Sequence, residues 1–144
     1  MINIQDVVKF LYNVPIFQSL NKSQLERLGK RFVEREYAAG TEIVTQGQGG
    51  EGFFIVFAGK VDVIRERADG VKVVVNQMSV GDFLGELALL DNGLRTATAI
   101  PSEPTQCLVL TRWDFISILK EDPDMAVKIL EELARRFRQA LDRL

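Results

Sequence analysis

Val61-Asp62-Val63-Ile64-Arg65-Glu66-Arg67-Ala68-Asp69-Gly70-Val71-Lys72-Val73-Val74-Val75-Asn76-Gln77-Met78 is the stretch on which the fold turns. Two runs rich in β-branched residues flank Asp69-Gly70, a dipeptide that accepts the positive φ of a tight turn, so the stretch reads as a β-hairpin. Runs of like composition lie on either side: FVEREY (32–37), TEIV (41–44) and FFIVF (53–57) before it, RTATAI (95–100) and TQCLVL (105–110) after it. Gly40, Gly47, Gly59 and Gly81 stand at the breaks. Seven or eight short strands at this spacing predict an antiparallel barrel or jelly roll.

Helical patterns bracket the strands. Ile4, Val7, Val8 and Leu11 share one helix face until Pro15 interrupts it. A second helix is predicted from about Asn21, where Ser23 and Glu26 have capping-box spacing ahead of Leu25 and Leu28. After the strands, Thr111 is expected to cap TRWDFISILK with Asp114 at the third helical position, and Asp122 to cap a final helix whose first turn holds Pro123. Along that helix Met125, Ile129, Leu133, Phe137 and Leu141 recur every four residues as a narrow apolar stripe. Glu131–Arg135 and Glu132–Arg136 are predicted ion pairs on its surface. The expected fold is mainly β: an antiparallel β-roll (32–110) with N-terminal helices (1–31) and C-terminal helices (111–144), all in one domain.

Composition removes many functions. Eighteen basic residues face twenty acidic ones, a net charge of −2, too weak a field to draw a phosphate backbone or an anionic membrane as the main partner. Histidine is absent and Cys107 is the single cysteine, so the common zinc and non-haem iron sites lack ligands and Ser-His and Cys-His nucleophile pairs are excluded. No metal and no catalytic residue is expected, and the chain does not read as an enzyme. With no disulfide possible within the chain and no signal-like N-terminus, a cytoplasmic location is expected. About 34 residues follow the roll, too few for lid helices and a helix-turn-helix together, so no direct nucleic-acid contact is expected.

The chemistry concentrates in residues 81–99, GDFLGELALLDNGLRTATA. One apolar helical turn and a polar loop sit between two strands, and a lone arginine opens the second strand. A short helix start after Gly85 leaves backbone N–H groups for an anion, and the glycine admits a ligand close to the backbone. Arg95 adds a forked, permanently charged donor, Thr96 a hydroxyl beside it, and Glu86 an acceptor suited to a sugar hydroxyl. An anion and a hydroxyl gripped by one loop describe a ribose phosphate.

The segment FLGELALLDNGLRTATA (83–99) resembles the phosphate-binding cassette of the cyclic nucleotide-binding domain family, which includes kinase regulatory subunits, nucleotide-gated channels and bacterial catabolite activators. The turn glycines Gly40, Gly47 and Gly59, the helical lead-in VPIFQSL and the closing helices also fit, so the resemblance covers nearly the whole chain. The family often has proline before the arginine; here Leu94 stands there, which loosens the loop. The resemblance implies a regulatory module for cAMP or cGMP with no other cofactor, its cassette spanning residues 83–97. Arg95 would meet the cyclic phosphate and Glu86 the ribose 2′-hydroxyl. Amides around Gly85, Leu87 and Ala88, and of Thr96 and Ala97, would complete the cradle. Val63, Met78 and Leu84 would line the base pocket, and the final helix would fold over the base as a lid, with Arg136, or else Leu133 or Phe137, as the capping residue. A homodimer or an effector protein would engage that helix.

Plainer readings stand beside these. Arg95 alone is a surface or strand-edge arginine and Glu86 alone a first-turn glutamate favoured by the helix dipole. Val63, Met78 and Leu84 are core residues in any β-roll, Arg136 the partner of Glu132, and Phe137 part of the apolar stripe. A hydroxyl at the position of Thr96 favours guanine in some relatives, yet threonine or serine also occurs in cAMP binders, and the plain reading of Thr96 is a strand threonine. Gly47-Gln48-Gly49-Gly50-Glu51-Gly52 satisfies G-x-G-x-x-G, but a strand follows it where a dinucleotide loop needs a helix, so it reads as a flexible connection. Glu121, Asp122 and Asp124 read as helix capping. Two rival functions remain: a degenerate roll acting in protein interaction or dimerisation, and a cupin-type metalloenzyme, which the missing histidines disfavour.

Overall fold

The computed structural model describes residues 2–50 and 52–144; Glu51, within the glycine-rich segment, is outside the described residues. In chain order the elements are α1 (Ile4–Tyr12), a 3-10 turn (Pro15–Phe17), α2 (Lys22–Gly29), β1 (Val33–Tyr37), β2 (Gly52–Ala58), β3 (Val61–Glu66) and β4 (Lys72–Met78). There follow β5 (Phe83–Leu84), α3 (Ala88–Asp91), β6 (Thr98–Pro101), β7 (Thr105–Thr111), α4 (Arg112–Glu121) and α5 (Pro123–Asp142). They form two compact units: a strand unit, Phe32–Arg112, and a helical unit made of the chain up to Arg31 with Trp113–Leu144.

Two antiparallel sheets build the strand unit, ordered β1-β7-β2-β5 and β4-β3-β6. This is the expected β-roll, and it is not a closed barrel. Closure fails because β5 has only two residues and TEIV contributes no strand, only an isolated bridge from Val44 to Ala99. The hairpin forms where the sequence places it. Arg67 N–H donates to the Val71 carbonyl and Gly70 N–H to the Arg67 carbonyl, each at 2.9 Å, while Gly70 adopts φ +84°. The Val71 amide donates to the Asp69 carboxylate at 3.0 Å. β2 lies between β7 and β5 in its sheet and is buried from Gly52 to Val56, which is why FFIVF shows no polar alternation.

The core of this unit is Val44, Phe54, Val56, Val61, Met78, Ala99, Cys107 and Val109, with Tyr37, Ile43, Val63 and Leu84 packed against it. Burial pushes the Cys107 thiol up to about 11. Its neutral form is favoured in the fold, so this contribution to stability is full below the unfolded thiol's range and is lost as pH rises from there through about 11.

In the helical unit Asn3 caps α1, accepting from the amides of Gln5 and Asp6. The capping box at α2 is Asn21 with Gln24, and Ser23 with Glu26 does not form one. The helix begins at Lys22, one residue before Ser23, so Ser23 lies inside it and Asn21 takes the cap position. The Gln24 side chain also donates to Asp122 and Asp124 and accepts from Lys128 at 3.0 Å, tying α2 to the start of α5. Asp122 caps α5 as expected, accepting from the Met125 amide at 3.2 Å, and pairs with Arg27 at 3.1 Å. Glu132 pairs with Arg135 at 2.9 Å, and Arg135 also reaches the Ser19 hydroxyl at 3.0 Å, so the expected Glu131–Arg135 and Glu132–Arg136 pairs give way to one i,i+3 pair anchored on the lead-in turn. Of the α5 stripe, Met125 and Ile129 are buried, whereas Phe137 and Leu141 are exposed. Among the described residues no helix is long and apolar enough to cross a membrane, and no cluster of His, Cys, Asp and Glu could hold a metal.

Two outcomes follow from this packing. Asp122→Ala should lower unfolding stability by about 1 kcal/mol or slightly more, measured by urea denaturation; an unchanged midpoint would remove the cap from the account. Cys107 should resist thiol reagents at pH 8 in folded protein and react once urea unfolds it; fast labelling of the native chain would contradict its burial.

Candidate functional site

The strand unit holds a cavity of about 340 Å³, within the range of small-molecule sites. Its walls are Val44, Val63, Leu84, Gly85, Glu86, Leu87, Ala88, Asp91, Gly93, Leu94, Arg95, Thr96, Ala97 and Ala99. Segment 84–97 thus supplies most of the wall, with β3 and the Val44 bridge completing it. Nine of the residues singled out in the sequence line this space together: Val63, Leu84, Gly85, Glu86, Leu87, Ala88, Arg95, Thr96 and Ala97.

Arg95 is the centre of the site. Although charged, it is only 8 % exposed. Its Nη2 donates to the Gly52 carbonyl and its guanidinium lies 5.9 Å from the centre of the Phe54 ring. Among the described residues the buried Nε hydrogen has no acceptor and no carboxylate pairs with the side chain. Burial holds the guanidinium below its usual pKa. A cation placed this deep with an unused donor is costly unless an anion meets it. Gly85 stands beside it at φ +89°, and a β-carbon there would collide with Nη1 of Arg95 and with the Gly52 carbonyl. Glycine is therefore required twice, by backbone conformation and by space.

The backbone donors are fewer than the sequence suggested. The helix after Gly85 is a single turn, in which Ala88 N–H donates to the Gly85 carbonyl at 3.1 Å and Leu89 N–H to the Glu86 carbonyl at 3.3 Å. The Ala88 amide is thus already engaged in this structure. Among the described residues the amides of Glu86, Leu87, Thr96 and Ala97 donate to no protein acceptor, and the Glu86 carboxylate accepts from none. The turn closes on Asn92, in the left-handed region at φ 55°, with the Gly93 amide donating to the Asp91 carboxylate at 2.8 Å. That closure lets the chain reverse into Arg95 although Leu94, 69 % exposed, stands where proline is common.

Two expected base-pocket or lid residues are not in this wall. Met78 is 3 % exposed and sits in the apolar core, paired across β3 with Val61, so it supports Val63 and Leu84 from behind. Arg136 lies on α5 in the helical unit, is exposed, and makes no hydrogen bond or ion pair among the described residues. Conversely, Val44, Asp91, Gly93, Leu94 and Ala99 line the cavity without having been named as site residues. The run RTATAI (95–100) reads as a strand, in which Ala97 and Ala99 would share a face, so Ala99 was accessible to strand alternation; the strand formed, β6, begins only at Thr98. Val44 had no such signal, because its place depends on one long-range bridge.

The sequence profile of the cyclic nucleotide-binding domain matches residues 34–122. The chain is 32 % identical over 126 residues to the cyclic AMP receptor protein of Thermus thermophilus, covering 88 % of this chain and 58 % of that protein. It is 34 % identical over 131 residues to a cGMP-dependent protein kinase of Drosophila melanogaster, covering 89 % of this chain and 13 % of the kinase. In structure it is similar to the N-terminal domain of a transcriptional regulator from Streptomyces coelicolor, with a TM-score of 0.84 and 30 % identity over 92 % of this chain and 95 % of that one. The chain therefore spans little more than half, or far less, of the two curated relatives. The protein belongs to the cyclic nucleotide-binding domain family.

Proposed function

We propose that this chain is a regulatory, non-catalytic module that binds a cyclic purine nucleotide, cAMP or cGMP, in the strand-unit cavity. The observation that carries the reading is the buried Arg95 guanidinium with its unused Nε donor, set among the free amides of Glu86, Leu87, Thr96 and Ala97. Those groups fit a phosphodiester: one delocalised cation with a planar fork, plus neutral donors from two loop segments. The unpartnered Glu86 carboxylate suits the ribose 2′-hydroxyl. Val44, Val63, Leu84, Ala97 and Ala99 offer an apolar surface to the purine. Thr96 is exposed at the rim, where its hydroxyl would favour a guanine amino group; relatives named for cAMP and for cGMP leave both ligands in play. Binding would be signalled through a change in the C-terminal helices, and the buried, unpaired Cys107 suits a reducing compartment such as the cytoplasm.

A second reading has its own observation. Leu130 at 64 %, Phe137 at 66 % and Leu141 at 50 % exposure leave α5 with apolar residues on its surface, as a self-association or effector-binding helix would. The two readings are compatible, and only the absence of nucleotide binding would leave the second alone. Light scattering with and without nucleotide reads the assembly directly; a monomer under both conditions removes self-association.

Isothermal titration with cAMP and with cGMP tests the main reading, which expects at least one of them to bind well below millimolar. Failure of both would end it. Arg95→Ala should weaken binding by about 3–5 kcal/mol because it leaves a phosphate charge uncompensated in a partly desolvated site. Glu86→Gln should cost about 1–2 kcal/mol, since a neutral acceptor keeps part of the hydroxyl bond. Near-wild-type affinity in the first variant would remove the phosphate from Arg95.

A further inference from the structure

The segment Gly47-Gln48-Gly49-Gly50, with Gly52, looks in sequence like a dinucleotide loop or a passive link between strands. Its contacts show neither. Gly47 N–H donates to the Arg95 carbonyl and Arg95 N–H donates to the Gln48 carbonyl, both at 2.8 Å, a reciprocal pair that fixes the arginine's backbone. The Gly52 carbonyl then accepts from the arginine's own Nη2. Between these anchors lies Gly50. A β-carbon built on it would fall 2.8 Å from the guanidinium carbon of Arg95 and closer still to Nε. A β-carbon on Gly85 would likewise collide with Nη1. The guanidinium occupies a slot that two bare α-carbons leave open.

We infer that Gly50 is a positioning residue for the anion site: its missing side chain is what lets the Arg95 guanidinium sit in its slot. The inference rests on the reading of Arg95 as the anion-binding group. It is specific to position 50. Gly49, the next residue, has nothing within 4 Å of a β-carbon, and neither residue adopts a positive φ. Side chains at both positions are therefore free of left-handed backbone strain, and they differ only in what they meet. At position 50 the obstacle is the end of a flexible side chain, so the arginine yields while the fold holds. A displaced guanidinium keeps its charge but loses the direction of its fork, which a bidentate contact to a phosphate needs.

The experiment compares Gly50→Val with Gly49→Val, read first without ligand. Exchange of the Arg95 Nε hydrogen with water, followed by NMR, should be slow in the wild type and in Gly49→Val and fast in Gly50→Val. Titration with cAMP and cGMP should show affinity lowered roughly tenfold to a hundredfold in Gly50→Val, the loss of one charge-assisted contact, with Gly49→Val within about twofold of wild type. In an Arg95→Lys background the added Val at position 50 should cost much less, because an unbranched ammonium does not fill the slot. A purely structural role for Gly50 would give equal losses in both backgrounds. Slow Nε exchange in Gly50→Val, or equal effects at positions 49 and 50, would overturn the inference. Should Gly50→Val fail to fold, Gly50→Ala makes the same comparison with a smaller displacement, and slow exchange there would overturn it equally. If the wild type binds neither nucleotide, the proposed function falls, and the exchange pattern still decides the slot.

Discussion

One buried cation organises this protein's strand unit. Arg95 is held at the backbone by the glycine segment, at the side chain by the Gly52 carbonyl, and on its flanks by Gly50 and Gly85. A desolvated guanidinium is expensive, and a fold that keeps one without a carboxylate among its described residues stores a demand for an anion. The rest of the site follows from meeting that demand. A one-turn helix brings two free amides to the cavity, a left-handed Asn92 turns the chain back, and the roll supplies apolar lining from Val44, Val63 and Ala99.

The arrangement also explains the glycine content of the strand unit in chemical terms. Gly70 serves a hairpin, a local matter of φ. Gly50 serves a side chain reached across the fold while its own backbone is ordinary, whereas Gly85 meets both needs at once, a left-handed φ and a close guanidinium. A pattern of spaced glycines thus mixes two unrelated requirements, of which only the first is visible without coordinates.

That distinction marks how far the sequence could be read. The Asp69-Gly70 hairpin and the Asp122 cap depend on neighbours a few residues away, and both form as their residues dictate. The cavity-lining stretch from Leu84 to Ala97 was legible because its glycine, carboxylate and arginine lie on one short segment. Features decided by distant contacts were not. The Gln24 side chain that closes the α2 box on Asn21 also bonds Asp122, Asp124 and Lys128, far along the chain. Arg135 takes Glu132 because Ser19 holds its other end. Met78 has the chemistry of a pocket residue, yet its register opposite Val61 turns it into the core. The glycine segment 47–52 reads as a connection because nothing local announces an arginine over forty residues away.

The central claim is that one phosphodiester is neutralised jointly by Arg95 and the neighbouring free amides. It is tested most directly by an NMR titration with cyclic nucleotide, following the Arg95 Nε–H together with the backbone amides of Glu86, Leu87, Thr96 and Ala97. The account predicts that all five signals shift in one saturable step with a common dissociation constant. A ligand that saturates the protein while leaving the Arg95 Nε–H and these amides unmoved would contradict it.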